Sequence, residues 1–284
     1  MGSAIAMRLV ETGAQVRVWN RDPSRPRDAG LAVAETPRSL AEQSDTVISS
    51  LFDDQAVQAV YEGMNGLIAA GAGKLFIEMS TIRPETQQHL ADAVAKGGGA
   101  FIECPVSGTT GPARSGQLVG LAGGAAADID RARPVLAQLC RTIEHIGPVG
   151  AGATAKLAIN LPLLAFWQSF GEAMALMRHM GKDSRWLVQL FSDTAGTPAV
   201  MKVKAGALVE TLAGRNSVSP TFDIDSMRKD LRLMLAEARA GRFALPVAET
   251  ISAAFDEAAA AGWGQRDCAW IPAFWAAKAP YSDP

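Results

Sequence analysis

Gly147-Pro148-Val149-Gly150-Ala151-Gly152-Ala153-Thr154-Ala155-Lys156-Leu157-Ala158-Ile159-Asn160 is where this chain changes character. Before it, short apolar or β-branched runs (15–19, 46–52, 75–79, 100–102, 118–122 and 142–146) alternate with helix-length segments such as 54–69 and 84–96. That alternation predicts a largely parallel, doubly wound α/β sheet over residues 1–150. After Gly152 the strand signal stops, and an Ala-, Leu- and Met-rich remainder with helical periodicity predicts an all-helical domain over 151–284. The stretch itself opens the long helix that joins the two.

Lys156 and Asn160 stand four residues apart, so on a helix they share a face. A lysine amine and a carboxamide side by side can polarise one substrate oxygen. A lysine lying along the surface at a helix start is the plainer alternative. From Leu157 to Met180 the sequence is so continuously apolar that it reads as a long buried helix, with Gln168, Glu172, Arg178 and His179 interrupting any membrane span. Pro162 predicts a kink or a late helix start.

Composition bounds the function. The chain has 284 residues, is 48% apolar and 20% charged, and carries a net charge of −2. It is long enough for two domains and shows no basic field for nucleic acid or lipid headgroups. Small molecules or further copies of the chain are the expected partners. Cys104, Cys140 and Cys268 lack metal or disulfide spacing, an odd count that fits a reducing, cytoplasmic setting, and the expectation is of no secretory signal. His89, His145 and His179 are far apart, so no metal site is expected.

The beginning, Met1-Gly2-Ser3-Ala4-Ile5-Ala6, is a small-residue turn running into a helix that Gly13 can cap. It reads as the tail of a G-x-G-x-x-G dinucleotide fingerprint, with Gly2 the third glycine and Gly2 and Ser3 opening the pyrophosphate-binding helix. The strand and two glycines that precede such a helix are not in the sequence, and the expectation is that the reading frame extends upstream. Val18-Trp19-Asn20-Arg21 ends the next strand. Asn20 stands where NAD-binding units carry an acid, and the guanidinium of Arg21 can clamp a 2′-phosphate, which favours NADPH over NADH. A solvated turn arginine is the alternative.

Together with Lys156 and Asn160, these features resemble the β-hydroxyacid dehydrogenase family, across essentially the whole chain. Ser49-Ser50-Leu51-Phe52-Asp53 is similar to the family's cofactor loop after a strand, with Phe52 in place of a proline. Glu78-Met79-Ser80-Thr81 resembles D-M-S-T, which implies that Thr81 borders nicotinamide and substrate, although hydroxyl residues at strand ends are also common helix caps. Glu103-Cys104-Pro105-Val106-Ser107-Gly108-Thr109 resembles D-A-P-V-S-G-G. That resemblance implies a substrate-carboxylate site at Ser107, Gly108 and Thr109, with a threonine side chain where the family has its second glycine. Lys156 matches the catalytic lysine and Asn160 the second asparagine of K-x-x-N-N, Ile159 replacing the first. The implied chemistry is hydride transfer with Lys156 as proton donor and acceptor and Asn160 orienting substrate and lysine.

Further on, Phe222, Met227, Lys229, Asp230 and Leu231 resemble F-x-x-x-L-x-x-K-D-L, which implies that Lys229 reaches the cofactor and Phe222 lines the substrate pocket. Gly262-Trp263-Gly264-Gln265-Arg266-Asp267-Cys268-Ala269 resembles the closing motif, where Asp267 reads as a structural helix cap. Trp167, Phe170 and Met227 are pocket or core candidates alike. An imine reductase, which shares the fold, and a cofactor-binding module without catalysis are the competing readings. Lys156 argues against the first, and Lys156, Asn160 and Lys229 together argue against the second. The apolar helical half predicts a homodimer, which the resemblance also implies.

Overall fold

The computed structural model describes residues 1–194 and 196–278, the side chains of residues 25 and 28 excepted. In chain order the first half runs α1 (Gly2–Glu11), β1 (Arg17–Val18), α2 (Ser24–Asp28), β2 (Ala32–Val33), α3 (Pro37–Glu42), β3 (Thr46–Ser49), α4 (Asp54–Glu62), β4 (Leu75–Glu78) and α5 (Pro84–Lys96). It continues β5 (Ala100–Glu103), β6 (Val106–Ser107), α6 (Thr110–Ser115), β7 (Leu118–Gly123), α7 (Ala126–Leu136) and β8 (Cys140–Gly147). The rest is helical: α8 (Ala151–Met177), α9 (Ser184–Ser192), α10 (Ala199–Leu212), α11 (Ile224–Gly241), α12 (Pro246–Ala258) and α13 (Trp270–Ala277). By internal contacts the chain divides into Met1–Leu157 and a second unit from Ala158 onward.

In the first unit β3, β4 and β5 are parallel and in register, and β7 runs antiparallel to β5 and β6 with β8 parallel to β7. The sheet is therefore mixed where the alternation predicted a largely parallel one. The reason is local: β5 carries on through Pro105 into β6 in one unbroken register, and after the short α6 the chain returns as β7 antiparallel along both. β1 lies inside the predicted run 15–19, whereas β2 is too short to stand out as a periodic run, and the two pair only with each other among the described residues. Gly13 follows the first helix at φ 90, as a capping glycine should.

β4 reads Leu-Phe-Ile-Glu and is buried on both faces, as a central strand of such a sheet must be. Leu75 and Ile77 join one apolar cluster with Ile102 and Leu118, while Phe76 joins Tyr61, Leu90 and Phe101 on the opposite face. Two layers of helix cover these faces, and the polar ends of the strands gather along one row.

α8 departs from the sequence reading in how far it is buried. Burial is one-sided, with Ala153, Leu157, Asn160, Leu164, Trp167, Gln168, Phe170 and Met174 among the buried positions, while Ile159 and Leu176 are exposed. The helix starts at Ala151 and includes Pro162, so of the two outcomes expected at that proline the late start is the one not seen. Ala158 and Pro162 both lie on the exposed side, where the carbonyl that loses its partner can be hydrated. In the second unit Met201, Leu208, Met227, Leu231, Phe255 and Ile271 form buried positions on the surrounding helices. No helix of the described residues is long and apolar enough to cross a membrane.

Candidate functional site

Register places five residues in one row across the sheet: Ser49 opposite Glu78, Glu78 opposite Glu103, Glu103 opposite Gly123, and Gly123 opposite Gly147. The segments leaving this row are the ones the sequence singled out, at the carboxyl ends of the strands where open α/β sheets bind ligands. Ser50-Leu51-Phe52 follows β3, Ser80-Thr81 follows β4, Cys104 to Thr109 follows β5, and the start of α8 follows β8.

Glu78 organises the first two segments. Its carboxylate accepts from the Ser80 N–H at 2.7 Å and from the Ser49 hydroxyl, which also meets the Tyr61 hydroxyl at 2.7 Å. The Ser80 hydroxyl accepts from Leu51 N–H at 2.7 Å, so one buried acid ties the Leu51-Phe52 loop to the strand end bearing Thr81. Burial pushes the Glu78 carboxyl up to about 6 against the pull of these donors. Phe52 is exposed, consistent with a loop facing outward.

Glu103 does the same for the lysine helix. One carboxylate oxygen accepts from Gly150 N–H at 2.6 Å and Gly152 N–H at 2.9 Å, and the other from Ala153 N–H at 3.1 Å. These are amides that a helix N-terminus otherwise leaves without partners. Lys156 follows one residue short of a full turn beyond Ala153, half-buried on α8. Burial raises the Glu103 carboxyl to about 7; the amides oppose the shift and neighbouring Glu78 adds to it.

Ser107 lies in β6, paired with Val119. Gly108 has φ +131, and a Cβ there would stand 2.7 Å from Leu118 Cδ2, so glycine is required. Thr109 sits at φ −110, open to any residue, and precedes α6 without capping it through its side chain. The threonine is tolerated because the unusual backbone is at Gly108 alone.

In the helical unit Asn160 is buried, and its Nδ2 donates to Asp230 Oδ2 at 2.8 Å. Lys229 Nζ lies 2.9 Å from Asp230 Oδ1, an ion contact outside hydrogen-bonding geometry. Asn160 and Lys229 therefore share one buried acid that the sequence reading quoted without a role; its place next to the lysine in the K-D-L run was the available signal. Phe222 is half-buried and its carbonyl accepts from Cys268 N–H at 2.9 Å. Trp167, Phe170 and Met227 are buried packing residues. Asp267 is not the residue that caps α13: it accepts from Lys204 Nζ at 2.7 Å, Thr221 N–H at 2.8 Å and Ala269 N–H at 3.1 Å. Its role is a buried cross-link.

At the other end of the first unit, α1 begins at Gly2 and Ser3 with no side-chain cap, and a Cβ on Gly2 would lie 3.8 Å from Ser50. First-turn amides not claimed by a side chain, beside a strand-end loop, suit a pyrophosphate. Asn20 and Arg21 are exposed in the loop after β1, where Asn20 Oδ1 accepts from Asp22 N–H at 2.9 Å. These features fit a dinucleotide.

Comparison with known proteins agrees. Residues 1–147 match the NAD binding domain of 6-phosphogluconate dehydrogenase, and residues 150–273 match the NAD-binding family of NADP-dependent 3-hydroxyisobutyrate dehydrogenase. The chain is 32% identical to glyoxylate/succinic semialdehyde reductase 1 of Arabidopsis thaliana, over 94% of this chain and 92% of that one. It is 35% identical to 3-hydroxyisobutyrate dehydrogenase of Pseudomonas aeruginosa, over 87% and 85%. Among solved structures, 3-hydroxyisobutyrate dehydrogenase of Salmonella typhimurium matches with a TM-score of 0.85 at 25% identity, over 96% and 95% of the two chains.

Proposed function

The chain belongs to the β-hydroxyacid dehydrogenase family, and on that premise we propose that it interconverts a short hydroxyacid and its semialdehyde or keto form with NADP(H). The observation that carries this reading is Lys156, in the second turn of a helix whose first amides are held by Glu103 at the functional row of the sheet.

When bound, the nicotinamide supplies or accepts the hydride. The first-turn amides of Gly2 and Ser3 would receive the pyrophosphate, Leu51, Phe52 and Thr81 would border the cofactor, and Lys229 would reach it. Arg21 would pair with a 2′-phosphate, with no acid at Asn20 to repel it. Ser107 and the backbone of Gly108 and Thr109 would take the substrate carboxylate, and Phe222 would close the pocket. Lys156 Nζ donates a proton to the alkoxide oxygen during reduction and takes it back during oxidation. Asn160, held by Asp230, would keep the substrate oriented.

Residues 1–150 are assigned to the cofactor and 151–284 to substrate and assembly. A homodimer through the helical half is supported by apolar side chains left in the open there, with Leu176 76% and Val203 81% exposed. Sedimentation at micromolar concentration should give a dimer; a monomer refutes that assignment.

Fluorescence titration with NADPH and NADH, then turnover of glyoxylate, succinic semialdehyde and a cyclic imine, tests the reading. Tighter NADPH binding, with turnover of an aldehyde acid and none of the imine, is expected. Lys156→Ala should lower kcat about 100- to 10,000-fold while leaving NADPH affinity near that of the parent. Unchanged turnover removes Lys156 from the chemistry.

A further inference from the structure

Glu103 does two things that no single residue needs to do for stability alone. Its backbone opens the segment Cys104 to Gly108, and its side chain, 47 to 50 positions away in sequence, accepts three amides at the start of α8. The remaining early amides of that helix are satisfied locally, Ala151 by Pro148 O and Thr154 by Gly150 O, both at 3.0 Å. Glu103 thus replaces the side-chain cap that a helix usually takes from its own flank.

The fit is close. A Cβ on Gly123 would stand 2.3 Å from Glu103 Oε1, and one on Gly152 would stand 2.2 Å from Leu121 O and 3.3 Å from the carboxylate. Gly152 is bare so that the helix start can lie against the Leu121 carbonyl, and Gly123 so that the carboxylate can reach the helix. Ionised, it offers acceptor oxygens to all three N–H groups and sits at the positive end of a 27-residue helix. Glu78 faces it from β4, and the Cys104 thiol is next to it in sequence.

We infer that Glu103 is a positioning residue for the reaction: it clamps the first turn of α8 to the strand end that leads into Ser107 and Gly108, and so fixes where Lys156 is presented. The inference rests on the lysine reading proposed above. A carboxylate does this better than a carboxamide, because a glutamine would turn an NH2 toward one of the amides it must accept.

The test compares Glu103→Gln, Glu103→Asp and Lys156→Ala in the full chain. The readouts are NADPH affinity, kcat and KM for glyoxylate and succinic semialdehyde, and amide exchange at Gly152 and Ala153. Glu103→Gln should bind NADPH within about twofold of the parent, lose about 10- to 100-fold in kcat with KM little changed, and exchange those two amides at least about tenfold faster. Glu103→Asp should recover part of the kcat. Unaltered kcat and unaltered exchange in Glu103→Gln overturn the inference. So does a parallel fall in NADPH affinity, melting temperature and kcat, which marks a residue that only holds the fold. If Lys156→Ala retains turnover, or neither probe is reduced by the parent, the lysine reading fails by itself, and exchange at Gly152 and Ala153 then decides whether the clamp exists.

Discussion

Replacing Asp267 by alanine should unfold the helical unit well before it disturbs the cofactor half. Asp267 is fully buried, and its partner Lys204 has a side chain only 11% exposed, so the substitution strands an ammonium with little water to reach. Removing one partner of a buried pair costs roughly 3–5 kcal/mol. The orphaned Thr221 and Ala269 amides fall within that figure, since each lost acceptor is worth about 1 kcal/mol. Five of the six tryptophans, Trp167, Trp186, Trp263, Trp270 and Trp275, lie in this unit, so intrinsic fluorescence during urea unfolding reports on it. Burial disfavours the Asp267 charge, but the Lys204 ammonium and the two amides outweigh it and hold the carboxyl below its ordinary value. A depressed folded value adds stability that is complete above the unfolded value and disappears as pH falls through the folded one. The gap between parent and variant should therefore narrow in acid. The double variant Lys204→Met with Asp267→Ala should recover part of the loss. A cost below about 1 kcal/mol at pH 7, or a gap that widens in acid, refutes the cross-link.

Other outcomes follow from the same contacts. Glu78, raised to about 6, binds its proton more tightly folded than unfolded; its favourable contribution is complete below the ordinary value of 4.5 and is lost as pH rises through 6. Urea midpoints of the parent should thus fall, relative to those of Glu78→Gln, by about 2 kcal/mol equivalent between pH 4 and pH 8. Gly108→Ala forces a side chain to φ +131 and into Leu118, so melting temperature should drop and KM for an acid substrate should rise, read by steady-state kinetics. Asp230→Ala frees the Asn160 amide and removes the Lys229 contact; a kcat loss of about tenfold or more is expected, and an unchanged kcat removes Asp230 from the orientation of Asn160.

Much of this architecture was legible locally. The change at Gly147–Asn160 separated a sheet-bearing half from a helical one because hydrophobic periodicity is a property of neighbouring residues. The span of α5, from Pro84 to Lys96, could be read directly from a proline start and a glycine stop. The motif spacings put Lys156 and Asn160 on one helix for the same reason. Where signals were short or depended on partners, the reading failed: two-residue β2 and β6 carry no period, and the one-sided burial of α8 is set by what packs against it.

Glu103, Glu78, Asp230 and Asp267 show where the sequence runs out. Each is an ordinary acid within a motif, and nothing in its neighbours says that Glu103 caps a helix 47 residues on, or that Asp230 takes an amide from a side chain 70 residues earlier. The sequence by itself determined the two-part plan, the identity of the long helix and the residues presented on it, because those follow from composition and local period. The partners of the buried acids were decided only by tertiary structure. Strand register and helix packing bring distant backbone into contact, and a carboxylate without water must find its donors there.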